Sequence, residues 1–212
     1  LMGEDFPEPW RARMLAHVAR IPQLVAHFAP PGHHRKICAD AIFAHVDPGA
    51  EVVLQFRLDD DDAVAVDFTR RLRRDWRKFR AFHADRDGPI ALDYTRGINL
   101  FAGRDGRIEI VPRREAFLGV AFAIATRPGD GHHVLGFMHH VIWQHMPTIS
   151  LPDEIMWLRG AHGHNDSGAP GRKPMFEADE ATLRQVLRKR FRIDLPALRA
   201  ALMSSRAGGG PA

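Results

Sequence analysis

The sequence predicts a mainly β core flanked by helices, an α+β chain. Three observations carry this. From residue 89 onward, short apolar runs of strand length alternate with Gly, Pro and Asp turn signals, the pattern of a sandwich or barrel. Before residue 83 and after residue 152, apolar residues recur at threes and fours instead, the helix period. Of the 212 residues, 45% are hydrophobic and 26% charged. This globular mixture excludes a disordered tail, a collagen-like rod and a disulfide miniprotein. At about 100–200 residues per domain, the length fits one domain over 1–206. It divides into a helical N-terminal part (1–82), a β core (83–151) and C-terminal helices (152–206). The Gly-rich residues 207–212 are expected to be a disordered tail.

Along the chain, Trp10, Met14, Leu15 and Val18 predict a helix from about Pro9 to Arg20, with prolines suited to its first turn. Ile37 to Val46 is apolar and fits either a strand or a helix. Asp47-Pro48-Gly49 is a turn, and Glu51 to Arg57 reads as a strand. The acidic run Asp59 to Asp62 predicts a helix start, because carboxylates accept from unpaired amides and suit the helix dipole. The helix that follows runs to about Phe82. The strand-sized pieces are then Ile90 to Tyr94, Ile98 to Ala102, Arg107 to Val111, Phe117 to Ala125, His132 to Gln144 and Pro147 to Leu151. Asp105-Gly106 is a hairpin signal, since a primed turn needs positive φ. Ser150 to Asp153 resembles a capped start for a short helix at Asp153 to Leu158. Gly160 to Pro174 is loop by composition. Two helices close the chain, Asp179 to Phe191 and Leu195 to Met203, the second capped by Asp194.

Thirty Lys and Arg against 26 Asp and Glu leave a net charge of only +4. The strongest basic run, Arg70 to Arg80, is interleaved with Phe68, Leu72, Trp76, Phe79 and Phe82. That spacing favours an amphipathic helix with a solvated basic back; nucleic acid or an acidic partner is the second reading of the same run. The single cysteine, Cys38, cannot form an internal disulfide, which fits a reducing cytoplasm. No apolar run reaches the roughly 18–20 residues of a membrane span, and residues 1–20 lack a signal-peptide core. A cytoplasmic protein without membrane contact is the expectation; nothing indicates its oligomeric state.

The compositional anomaly is histidine: 13 copies, seven of them between 132 and 164. Metal-binding pairs on a helix sit at i and i+4, sometimes i+3. His132, His133, His139, His140 and His145 never take those separations, and no Cys-x-x-Cys exists, so helical zinc pairs and zinc fingers are disfavoured. His162-Gly163-His164 has an alternate spacing able to chelate, although its surroundings read as a surface loop. His83-Ala84-Asp85 has the form His-x-Asp. In an extended backbone both side chains share one face and converge on a single cation, whereas at a helix end they are solvated. A second histidine from a later strand would complete a 2-His-1-carboxylate face.

Residues 127–134 (Arg-Pro-Gly-Asp-Gly-His-His-Val), then His139-His140-Val141, then Pro147 to Leu151, resemble the late strands of cupin-like and JmjC-type jelly rolls. The resemblance covers about residues 83–151 and implies a double-stranded β-helix core. It also implies that His140, ten residues after Asp130, is the distal metal ligand, and that His83 and Asp85 are the proximal pair. On that pattern the chain is an Fe(II)- and 2-oxoglutarate-dependent dioxygenase, a hydroxylase of a small molecule or peptide. Its metal and catalytic residues are His83, Asp85 and His140. The carboxylate end of 2-oxoglutarate would need a buried cation or hydroxyl, for which Tyr94, Arg96, Arg104 and Arg107 are candidates. A non-catalytic cupin-like ligand- or metal-binding protein and a basic-helix adaptor are the alternatives.

Overall fold

The computed structural model describes residues 1–103, 105–161 and 170–207, with side chains to 204. They divide into two compact units, 1–51 and 52–212. In the first, strands β1 (Met2–Gly3) and β2 (Phe28–Ala29) pair in parallel, and helices α1 (Trp10–Val18) and α2 (His34–Phe43) follow them in turn. The run left open between strand and helix is thus the helix α2, whose buried residue is Cys38.

The second unit is built on one six-stranded sheet. Its strands are β3 (Val53–Phe56), β4 (Asp62–Val64), β5 (Ile90–Ala102), β6 (Ile108–Arg114), β7 (Phe122–Thr126) and β8 (Thr148–Ala161), with helix α3 (Phe68–Ala84) between β4 and β5. Helices α4 (Glu180–Arg190) and α5 (Leu195–Ala207) follow β8. The path across the sheet is β3-β7-β5-β8-β4. β6 and β7 lie end to end along one edge of β5, both antiparallel to it, while β8 runs parallel along the other edge. β4 closes that side, antiparallel to β8. The architecture is therefore mixed α/β. A jelly roll is built of antiparallel strands in two sheets; here the most extensive pairing is parallel, from Ala91–Thr148 to Phe101–Ala161, and the sheet is single.

Several elements differ from the sequence reading for identifiable reasons. The two runs separated by Arg96-Gly97 are one 13-residue strand. Its register with β8 shifts between Tyr94 and Gly97, so the apparent turn is an irregularity inside a strand. The expected helix at Asp153 to Leu158 is part of β8, because pairing on both sides overrides a capping pattern. His132 to Gln144 is not a strand; it contains two short 3₁₀ turns, at 134–136 and 139–144. The acidic run does not start a helix. Its last member opens β4, and α3 begins only at Phe68. The Asp105-Gly106 hairpin is present between β5 and β6, with Gly106 at φ +79. Asp179 and Asp194 cap α4 and α5, accepting from the amides of Thr182 and Ala197.

The helix period of α3 does what it predicts. Phe68, Leu72 and Trp76 are buried against Ile90, Leu92, Tyr94, Ile98 and Leu100 of β5, together with Leu183 and Leu187 of α4. Each such side chain contributes about 1.5–3 kcal/mol on burial. A polar tie crosses this core. Asp75, 3% exposed, accepts from Tyr94 Oη at 3.1 Å, Arg71 Nε at 3.2 Å and Lys78 Nζ at 3.0 Å. Arg71 also pairs with Glu154 on β8, which pairs with Arg190 at the end of α4 at 2.8 Å. Burial pushes the Asp75 carboxyl up, but Lys78, Tyr94 and Arg71 outweigh it and hold it below the usual carboxylate range.

The Trp157 indole lies against Gly97, its register partner on the neighbouring strand. A Cβ at residue 97 would stand 1.9 Å from its ring. Gly97→Ala is expected to lower unfolding stability by about 1–3 kcal/mol or more, since overpacking must displace a fully buried indole. Denaturant unfolding followed by tryptophan fluorescence measures this; an unchanged midpoint would contradict the packing described.

Candidate functional site

Registered partners in a sheet share a face, so the strand pairings define rows of side chains. At the carboxyl ends of the parallel pair, one row reads Asp62 on β4, Arg159 on β8, Asn99 on β5 and Val111 on β6. The row before it contains Val64, Trp157, Gly97 and Arg113, and the row after it Ala161, Phe101 and Glu109. Phe101, Val111 and Ala161 form their own small apolar cluster. In open α/β sheets this carboxyl end is where ligands bind.

Polar atoms in these rows are buried without partners. Among the described residues Asp62 Oδ1, Asn99 Oδ1 and Trp157 Nε1 have none, and neither does Arg57 Nε nearby on the chain. Asn99 is 1% exposed; its amide nitrogen donates to Gly171 O at 3.0 Å, which leaves its oxygen as an acceptor with nothing to accept. Buried polar groups ordinarily have hydrogen-bond partners. A concentration of orphaned donors and acceptors at a strand end is what a polar ligand would satisfy.

The acidic run brings charge to this place. β3 ends at Phe56, and Asp59 to Asp61 lead directly into β4. The run is held by backbone contacts: Gly160 N–H donates to Asp61 O at 2.9 Å, an approach that only a glycine permits, because a Cβ at residue 160 would stand 2.3 Å from that oxygen. Arg57 donates to Asp59 at 2.9 Å and packs over Gly119. Burial, then Asp61 and Asp59, push the Asp62 carboxyl up to about 7, against the opposing pull of Arg159 and Arg57. The unpartnered oxygen of Asp62, repelled by Asp59 and Asp61, suits a polar or cationic group that a ligand brings with it.

A second polar centre lies toward the start of β5. Asp93 is fully buried; its Oδ2 accepts from the Phe117 amide at 2.8 Å, and its Oδ1 has no partner among the described residues. Phe117 has φ +59, strained for a bulky residue, and its carbonyl lies 2.5 Å from His139 Nδ1. Burial pushes the Asp93 carboxyl up to about 6 despite the Phe117 hydrogen bond.

The residues expected from sequence are dispersed. His83 and Asp85 are at the end of α3, not on a strand. His83 is buried edge-on to Trp76, while Asp85 is the exposed C-cap. Two residues apart on a helix, side chains point to different sides. Burial and then Arg127 lower the His83 pKa. His140 is exposed in the second 3₁₀ turn, against the His139 ring. Among the described residues no group of three His, Cys, Asp or Glu could hold a metal. Tyr94 is committed to Asp75. Arg96 donates to Asp153 O at 3.2 Å and stacks on Phe176. Arg107 is exposed beside Asp105. Arg104, His162 and His164 lie outside the described residues. Sequence reasoning missed Asp62, Asn99, Trp157 and Arg159. Of these only Asp62 carried a visible signal, the acidic run, and it was read as a helix cap.

A family model described as "Putative rhamnosyl transferase" matches residues 1–174. No curated protein and no solved structure matches the chain. The family match overturns the cupin-like and JmjC resemblance. With it go the oxygenase function, the dioxygenase and oxidoreductase reading, and the Fe(II) and 2-oxoglutarate cofactors. The physical reason is that the His-x-Asp pair sits on a helix, where it cannot face one metal. Among the described residues no helix is long and apolar enough to cross a membrane.

Asp93 yields a pH-dependent prediction. Its folded pKa of about 6 exceeds the unfolded value, so between about pH 4 and 6 the folded state binds more protons and stability falls as pH rises. Above pH 6 the ionised carboxylate costs on the order of 3 kcal/mol. Asp93→Asn is expected to match the parent protein near pH 4 and to be more stable at pH 7–8. Urea unfolding across that range checks the sign; a gap that does not grow with pH would contradict the buried, raised carboxyl.

Proposed function

Because the chain belongs to the rhamnosyl-transferase family, we propose that it transfers a rhamnose-type sugar from a diphosphate-activated donor to an acceptor hydroxyl. The observation that carries the site assignment is the row of buried, unpartnered polar atoms beside the acidic run, at the carboxyl end of the parallel pair. In the transfer, the bond between the sugar's anomeric carbon and the donor phosphate oxygen breaks, and the leaving diphosphate keeps the electron pair. The acceptor oxygen forms the new glycosidic bond and gives up its proton to the leaving diphosphate.

A diphosphate beside Asp59, Asp61 and Asp62 is repelled unless positive charge intervenes. The residues fit a hard divalent cation shared with the donor: such ions take one or two carboxylates plus substrate phosphates, without a full protein cage. The orphaned Asp62 oxygen and its upward-shifted carboxyl support that fit. When bound, the ion would neutralise charge developing on the leaving group. The chain's own residues do the rest. Asp62 and Asp61 hold the cation side, Arg57 and Arg159 balance their charge, Asn99 Oδ1 accepts from a sugar hydroxyl, and the Trp157 indole keeps water from the row beneath it.

Asp62→Asn is expected to lower donor turnover about 100-fold or more while leaving the protein folded, since it removes an electrostatic contact to the reacting group. Asn99→Leu should raise the donor KM. Chelation of divalent ions should abolish turnover and Mg²⁺ or Mn²⁺ restore it. Turnover of an activated rhamnose donor, followed by diphosphate release, measures all three. Unchanged turnover in Asp62→Asn would remove this assignment.

A further inference from the structure

β6 stands at the rim of the sheet, paired with β5 alone among the described strands. In an antiparallel ladder, residues that exchange both backbone bonds alternate with residues whose N–H and C=O point away from the partner. Two features of the chain fix which are which. Pro112, opposite Ile98, has no N–H to exchange, and its carbonyl accepts from the Met175 amide at 3.0 Å, on the side away from β5. At the other end the hairpin is closed by Gly103 N–H donating to Arg107 O at 2.9 Å, which puts Arg107 among the inward residues. Ile108 and Ile110 therefore direct their N–H and C=O groups outward, as Pro112 does its carbonyl. Among the described residues no backbone group meets them there. The chain itself makes the first rung on this edge, at Met175, and then turns away into α4.

This open edge borders a groove of about 820 Å³. Leu183 of α4 and Leu195 of α5 form its far wall, and the side chains of Ile108 and Ile110 line it, partly buried. An exposed strand edge is a template for another strand. A volume and an apolar wall would suit many ligands. Outward N–H and C=O pairs that repeat every second residue, about 7 Å apart, suit a second extended backbone. We propose that the edge of β6 takes up an extended peptide as an added strand, lying between β6 and the two C-terminal helices. Register partners share a face, so peptide residues opposite Ile108 and Ile110 lie toward α4 and α5 and are apolar, while the residue opposite Glu109 lies on the other face. The groove is lined by four carboxylates, Glu109, Glu177, Asp179 and Glu180, against two guanidiniums, Arg184 and Arg199. Even with Arg172 counted in, which pairs with Glu109, carboxylates outnumber cations. That balance selects Lys or Arg at the intervening positions. The partner is thus a segment of alternating apolar and basic residues, bound through its main chain and sorted by its side chains. None of the residues placed in the transfer site takes part, so the proposal does not rest on the transferase reading.

The test uses the full chain and a fluorescein-labelled hexapeptide alternating Lys and Val, followed by fluorescence anisotropy. Saturable binding is expected, about 10-fold or more tighter than to the same peptide with Glu in place of Lys. N-methylation of the Val amides, or of the Lys amides, removes the donors from one edge of the peptide at a time. Methylating the set that faces β6 should weaken binding about 10-fold or more, because two main-chain bonds are lost, and methylating the other set should change little. Which set matters reports whether the added strand runs antiparallel or parallel to β6. Ile110→Pro removes one outward N–H and should weaken binding severalfold while keeping the β5 pairing. Glu177→Lys should weaken the Lys peptide, strengthen the Glu peptide and leave donor turnover unchanged. The methylated peptides act on the unaltered protein, so they decide the matter even where a variant fails to fold. Absence of binding overturns the proposal, as do binding that neither methylated peptide loses and binding that both lose. Self-association of the chain that Ile110→Pro abolishes, without peptide binding, overturns it in favour of a second copy at this edge.

Discussion

The parallel pairing of β5 with β8 is the constraint on which the second unit depends. β5 is 13 residues long, paired along both edges, and buried on both faces along nearly its whole length. Parallel neighbours cannot be joined by a tight turn. The chain must therefore leave β5, lay β6 and β7 along one edge, and cross by residues 127–147 to begin β8 on the other. That crossing segment holds five of the histidines. They are gathered by connectivity, with His132 stacked on Phe137, His145 tilted against the same ring and His139 bonded to the Phe117 carbonyl.

The same pairing brings the carboxyl ends of β5 and β8 together, and β4 then delivers Asp62 to that end. The two sides of the sheet are used differently. One takes α3 and α4 and is sealed by the Asp75–Arg71–Glu154–Arg190 chain of ion pairs, in which every charge has a partner. The other carries the orphaned oxygens of Asp62 and Asn99 and the Trp157 N–H. A buried pair that is complete costs little more than its desolvation, whereas an unpartnered buried group costs the full penalty. The asymmetry between the faces separates scaffold from site more clearly than any residue type does.

What was legible in sequence was local. The period of α3 placed Phe68, Leu72 and Trp76 in the core; Asp105-Gly106 marked a real hairpin; Asp179 and Asp194 marked real caps. Three of the misreadings share one cause. Arg96-Gly97 looks like a turn, Ser150 to Asp153 looks like a cap and Asp59 to Asp62 looks like a helix start, and each is overridden by pairing with a distant strand. His83 and Asp85 fail for the converse reason: a strong helix carries on past Phe82 and turns the pair apart.

The sequence by itself determined helices α1, α3, α4 and α5, the hairpin turn, much of the apolar strand material and the concentration of basic charge on one helix, because these follow from periodicity and local backbone preference. Only the tertiary structure decided which strands are neighbours, that the central pair is parallel, and that Asp62, Arg159 and Asn99 stand in one row. Those residues are separated by 37 and 60 positions, and no spacing rule along the chain connects them. Cross-strand register does, and register is settled by which faces must be buried together.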